Sequence, residues 1–140
     1  MSDGKVLVLA CSGTGKVYGL MSREAALQVV QQLRPEQSEL MCLALLVTDD
    51  PDAKRRIAGA PCIAIDGCPK LCAAKNAELA GGLVVERVRV VDAFRAHRGA
   101  QPGTATVLTD EGWLITNELA EHVATLVDQA VAKQGGKQDE

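Results

Sequence analysis

Cys68 and Cys72 stand in the run Ile65-Asp66-Gly67-Cys68-Pro69-Lys70-Leu71-Cys72-Ala73, where an apolar stretch ends in Asp-Gly and a proline opens a helical pattern. A strand that feeds a helix through such a turn puts Cys68 at the helix N-terminus. There, backbone N–H groups without helical partners and the macrodipole favour an anion such as a thiolate. Cys72 follows on the same face, because residues three or four apart on a helix are neighbours. Two ionisable thiols converging at the carboxyl end of a strand suit a metal ion or a redox reaction better than they suit packing.

Strands alternating with helices must position these thiols. Residues 5–10 form a continuous apolar run, the pattern of a central strand buried on both faces, which ends at Cys11. Ser22 then caps a helix with Glu24 in its first turn, and Ala26, Val29, Val30 and Leu33 repeat at helical spacing until Pro35. Residues 40–47 read as a second buried strand, and Asp49-Asp50-Pro51 as the cap and first turn of a short helix through Ile57. Residues 62–66 make a third strand, and residues 69–80 a third helix closed by Gly81-Gly82. In residues 84–91, Arg87 and Arg89 interleave with Val88 and Val90, which predicts a half-exposed strand near an edge.

After a polar segment at residues 95–103, residues 104–108 and 113–115 flank Thr109-Asp110-Glu111-Gly112 and read as a hairpin. Thr116 or Asn117 then caps a last helix with an apolar stripe of Leu119, Val123, Leu126, Val127 and Ala130. The pattern predicts one α/β domain over residues 1–133, a three-layer sandwich with a mainly parallel sheet, a C-terminal hairpin and a helix. Residues 134–140 are expected to form a disordered tail.

In open parallel sheets ligands bind outside the carboxyl ends of the strands. Cys11 closes the first strand and Cys68 the third, so two cysteines far apart in sequence face one crevice, and Cys72 joins them from the helix. Cys42 reaches that crevice only if its strand turns soon after Leu43. Cys62, inside an apolar run, reads as a small core residue, and Asp66 as a turn or capping residue. His97 and His122 lie in or beyond the polar segment and are not counted as ligands. Gly13-Thr14-Gly15-Lys16 lacks the glycine and the Ser or Thr of a nucleotide P-loop, since Ala10 and Val17 hold those positions. There remains a cysteine ahead of an anion nest, similar to the phosphocysteine loops of sugar-transport phosphocarriers.

A chain of 140 residues is long enough for one domain with a real core. Aromatics make up 2% of it, so that core is built from Val, Leu, Ile and Ala, a composition that suits a parallel sheet flanked by helices. A net charge of −3 with scattered basic residues leaves no footprint for nucleic acid or an anionic membrane. No apolar run approaches the roughly 20 residues of a membrane-spanning helix. Five cysteines without an export signal imply a reducing cytoplasm, where clustered thiols are metal ligands or redox groups more often than disulfides.

Ile65-Asp66-Gly67-Cys68-Pro69 followed by Cys72-Ala73, together with Ala10-Cys11-Ser12-Gly13 and Met41-Cys42-Leu43-Ala44, resembles the DGC-domain family. The resemblance extends to about Phe94 and takes its name from the tripeptide Asp66-Gly67-Cys68. It implies a Rossmann-like α/β domain that binds zinc through Cys11, Cys42, Cys68 and Cys72. Four thiolates enclose Zn²⁺ tetrahedrally at about 2.3 Å, and the same soft ligands accept an iron–sulfur cluster. Two other functions remain open. One is a thiol redox or sulfur-carrier enzyme with Cys68 as nucleophile and Cys72 as resolving cysteine; the other is an iron–sulfur delivery protein.

Overall fold

A computed structural model describes residues 5–10, 17–41, 43–67 and 71–138. At its centre is β1, Val6–Ala10, all five residues buried. β1 pairs in parallel with β2, Ser38–Leu40, on one side and with β3, Pro61–Asp66, on the other; Val8 lies opposite Leu40 and Ala10 opposite Ile65. β4, Leu83–Arg89, runs parallel to β3, which gives the strand order β2-β1-β3-β4.

Successive residues of a strand face opposite sides of the sheet, and here both sides are covered. On one, Val6, Val8, Ile63 and Ile65 pack with Met21 and Ala25 of α1 (Val17–Gln28), with Val29 of its π-helical continuation (Val29–Leu33), and with α5 (Asp110–Gln138). On the other, Leu7, Leu9 and Ala64 pack with α2 (Leu43–Val47), α3 (Pro51–Ile57) and α4 (Cys72–Leu79). The result is the three-layer, Rossmann-like sandwich expected, and burial on both faces explains the unbroken apolar run of β1.

Local signals set several boundaries as expected. Arg34, forced out of helical geometry ahead of Pro35, ends the first helical segment. Asp50 caps α3, its carboxylate accepting the Ala53 N–H at 3.0 Å with Pro51 in the first turn. β4 is an edge strand with exposed residues alternating along it, and its pairing with β3 shifts register between Cys62 and Ile63 of β3, which leaves Val85 of β4 as the extra residue of a bulge. Among the described residues no helix is long and apolar enough to cross a membrane.

Several expectations are corrected. Residues 40–47 are not one strand: β2 ends at Leu40 and Leu43–Val47 is helical. Leu43 and Leu46 are buried while Leu45 and Val47 are exposed, a spacing of three where a strand requires two. Ser22 is not a cap, because α1 already runs from Val17; the buried hydroxyl donates to the Gly19 carbonyl at 2.8 Å. The hairpin is replaced by an isolated antiparallel bridge between Gly103 and Leu108, and residues 113–115 lie in α5.

Thr109-Asp110-Glu111-Gly112 is a helix start. The Thr109 hydroxyl accepts the Gly112 N–H at 3.1 Å, its carbonyl accepts the Trp113 N–H at 2.9 Å, and two acidic residues occupy the first turn. Thr116, expected as a cap, is a buried residue of that helix, donating to the Gly112 carbonyl at 2.7 Å.

Gly112 packs against the turn before it, and a Cβ there would stand 2.2 Å from the Pro102 carbonyl oxygen. In an open helix Gly→Ala gains about 1 kcal/mol. Gly112→Ala is expected instead to destabilise by about 1–3 kcal/mol, read as a lower urea midpoint; a stabilised variant would show that α5 is not seated on Pro102.

Candidate functional site

The carboxyl ends of β2, β1 and β3 lie side by side at Leu40, Ala10 and Asp66. Between β1 and β3 the chain reverses its order of strand addition. β1 is followed by α1 on one face of the sheet, while β2 and β3 are followed by α2, α3 and α4 on the other. Such a switch point opens a crevice between the two outgoing loops, the usual ligand position in this architecture.

Asp66, at the end of β3, is 1% exposed. Its Oδ1 accepts the Ala73 N–H at 2.7 Å and its Oδ2 the Ala74 N–H at 3.3 Å. Burial pushes the carboxyl pKa up, and these two N–H groups pull against that rise. The capping role expected of Asp66 is thus realised from a distance, seven and eight residues upstream of the donors.

Helix α4 opens at Cys72, not at Pro69 as expected. Leu71, with φ 55° and ψ 49°, is left-handed and stops the helix from extending backwards. Cys72 is therefore the cysteine at the helix N-terminus. The N–H groups of the next two residues do not await a Cys68 thiolate; they are taken by Asp66. Cys72 is half-buried, and α4 packs against α2, whose first residue is Leu43.

Gly67 adds a second constraint. A Cβ on it would lie 2.7 Å from the Tyr18 carbonyl carbon and 2.8 Å from the Gly19 nitrogen, so the turn after β3 and the first turn of α1 touch backbone to backbone. Only glycine permits that approach.

Of the four expected metal ligands the structure places Cys72; Cys11, Cys42 and Cys68 lie outside the described residues, as does Gly13-Thr14-Gly15-Lys16. Among the described residues no group of three or more His, Cys, Asp or Glu side chains could hold a metal ion. Cys62 is fully buried in β3, and its thiol donates to the Ala60 carbonyl at 3.3 Å. Burial pushes its pKa up to about 12. It is the core residue expected.

His97 meets Glu118 at 2.6 Å. His122 lines a pocket of about 300 Å³ between β4, the 3-10 helix Val90–Ala96 and α5, with Glu86, Arg89, Asp92 and Glu118 around it. Sequence reasoning missed this pocket, since its walls come from three elements that no local pattern connects. Its charges are largely matched, with Arg89 donating to Asp92 at 3.0 and 3.3 Å.

Two outcomes are expected here. Gly67→Ala should cost about 1–3 kcal/mol in unfolding free energy, because the obstruction is backbone and cannot swing aside; an unchanged urea midpoint would refute the close approach. Cys62 should resist alkylation at pH 8 in the folded chain and react fully in denaturant, and mass spectrometry after iodoacetamide treatment would reveal the opposite.

No curated protein and no solved structure matches the chain. The family model of the DGC domain matches residues 7–111, from β1 to the first turn of α5, which extends the resemblance beyond Phe94 and takes in all four candidate cysteines. The chain belongs to the DGC-domain family.

Proposed function

We propose that this chain is a cytoplasmic metal-binding protein that holds one zinc ion with the thiolates of Cys11, Cys42, Cys68 and Cys72. The observation that carries this reading is the arrangement of three neighbouring strand ends. Cys11 is the next residue after Ala10 of β1, and Cys42 and Cys68 each come two residues after Leu40 of β2 and Asp66 of β3. Each residue advances the chain by at most about 3.8 Å, and adjacent strands lie about 4.8 Å apart. Cys72 opens the helix that Asp66 ties to the same strand end.

The end of β2 at Leu40 supports the inclusion of Cys42. A strand running to residue 47 would hold that side chain within the sheet; a chain that leaves the sheet at Leu40 does not. The donor set is all sulfur, which suits Zn²⁺ or an iron–sulfur cluster and disfavours Mg²⁺ or Ca²⁺. A bound zinc ion would neutralise the thiolates and fix the loops against one another.

The metal reading is favoured over a nucleophilic Cys68 by where the N–H groups of α4 go. Activation by a helix N-terminus requires N–H groups that face the thiolate, whereas those of Ala73 and Ala74 point to Asp66.

Protein purified anaerobically under reducing conditions should carry about one zinc per chain by elemental analysis. Affinity should weaken as pH falls, because protons compete for the thiolates. Cys72→Ser should lower the zinc content and Cys62→Ser should leave it unchanged. Stoichiometric iron with inorganic sulfide would replace zinc by a cluster, and a metal-free chain with five titratable thiols in excess zinc would end the metal reading.

A further inference from the structure

We propose that Asp66 is the positioning residue of the thiolate site, fixing Cys72 at the start of α4 against the end of β3 before any metal arrives. This rests on the metal-binding reading above and adds what holds the ligands in place. A helix is ordinarily capped by the residue just ahead of it. Here that residue is Leu71, which has no capping side chain. The cap comes from Asp66, and the bonds to Ala73 and Ala74 span the whole stretch in which both thiols lie.

One end of that stretch is anchored in the sheet, where Asp66 pairs with Arg89 of β4. The other end is anchored through Ala73 and Ala74, both buried in the core beneath the sheet. Leu71, packed against that core, holds a left-handed conformation that a leucine adopts only when its surroundings impose it. Gly67 fixes the near side by its contact with Tyr18 and Gly19. The side chain of Asp66 therefore ties the start of α4, and Cys72 with it, to the end of β3, and a tie made in advance removes an ordering cost from metal binding.

Two measurements test this. In the metal-free full-length chain, the amide protons of Ala73 and Ala74 should already be protected from hydrogen exchange, and zinc should change them little. In Asp66→Asn, which keeps size but puts an NH₂ group against a backbone donor, zinc affinity measured against a chromophoric chelator should fall by about 10- to 100-fold. The charge-transfer bands of the cobalt(II)-loaded variant should shift as well. Gly112→Ala, destabilised far along the chain in α5, should keep the wild-type affinity and bands, separating positioning from loss of stability.

Equal affinity in Asp66→Asn and wild type would overturn the proposal and leave the metal reading standing. If Asp66→Asn does not fold, exchange in the wild-type chain decides: unprotected Ala73 and Ala74 amides that become protected only on adding zinc would overturn it. A wild-type chain that takes up no zinc would overturn the metal reading and this proposal together.

Discussion

A buried carboxylate on the N-terminal turn of a helix is the contact on which the rest of this architecture depends. Asp66 has left water, a cost that only hydrogen bonds offset, and the first turn of α4 has N–H groups with no helical partner. Each satisfies the other. The sheet edge and α4 thereby become one unit, and the position of Cys72 at the helix start is set by the strand. Arg34 and Asp128 form a bidentate pair at 2.7 and 2.8 Å between the end of the first helical segment and α5, a solvent-facing clasp of smaller consequence.

Asp-Gly-Cys then has a physical meaning for each letter that the structure describes. The aspartate joins strand to helix. The glycine has no Cβ because the first turn of α1 lies against it, so that turn and the end of β3 meet backbone to backbone.

The core is suited to that close approach. With one Trp, one Tyr and one Phe in the chain, the layers are filled by β-branched residues in the strands and alanines in the helices, Ala25 and Ala26 in α1 and Ala73, Ala74 and Ala77 in α4. Small helix residues let the helices sit near the sheet. Gly82 serves the same end, since a Cβ there would lie 2.9 Å from the Cys62 sulfur. The aromatic groups stay at the margins, Tyr18 and Phe94 touching at 5.1 Å between ring centroids and Trp113 exposed.

Sequence by itself determined what depends on a residue and its near neighbours: β1 from an unbroken apolar run, α3 from Asp50-Pro51, the stop before Pro35, the edge character of β4, Cys62 as core, and Cys11 and Cys68 as cysteines that follow strands one and three, whereas Cys42 was read inside its strand. It misplaced what depends on burial. A five-residue apolar run such as residues 43–47 satisfies strand and helix alike until the partners that cover Leu43 and Leu46 are known. Thr-Asp-Glu-Gly serves as a turn or a helix cap according to where the next residues find their packing partners. The start of α4 was lost for the same reason, because its cap is a side chain seven residues away on another element. Only the tertiary structure decided that the helix N–H groups belong to Asp66, since a hydrogen bond between a strand end and a helix start exists only once the sheet has brought them together.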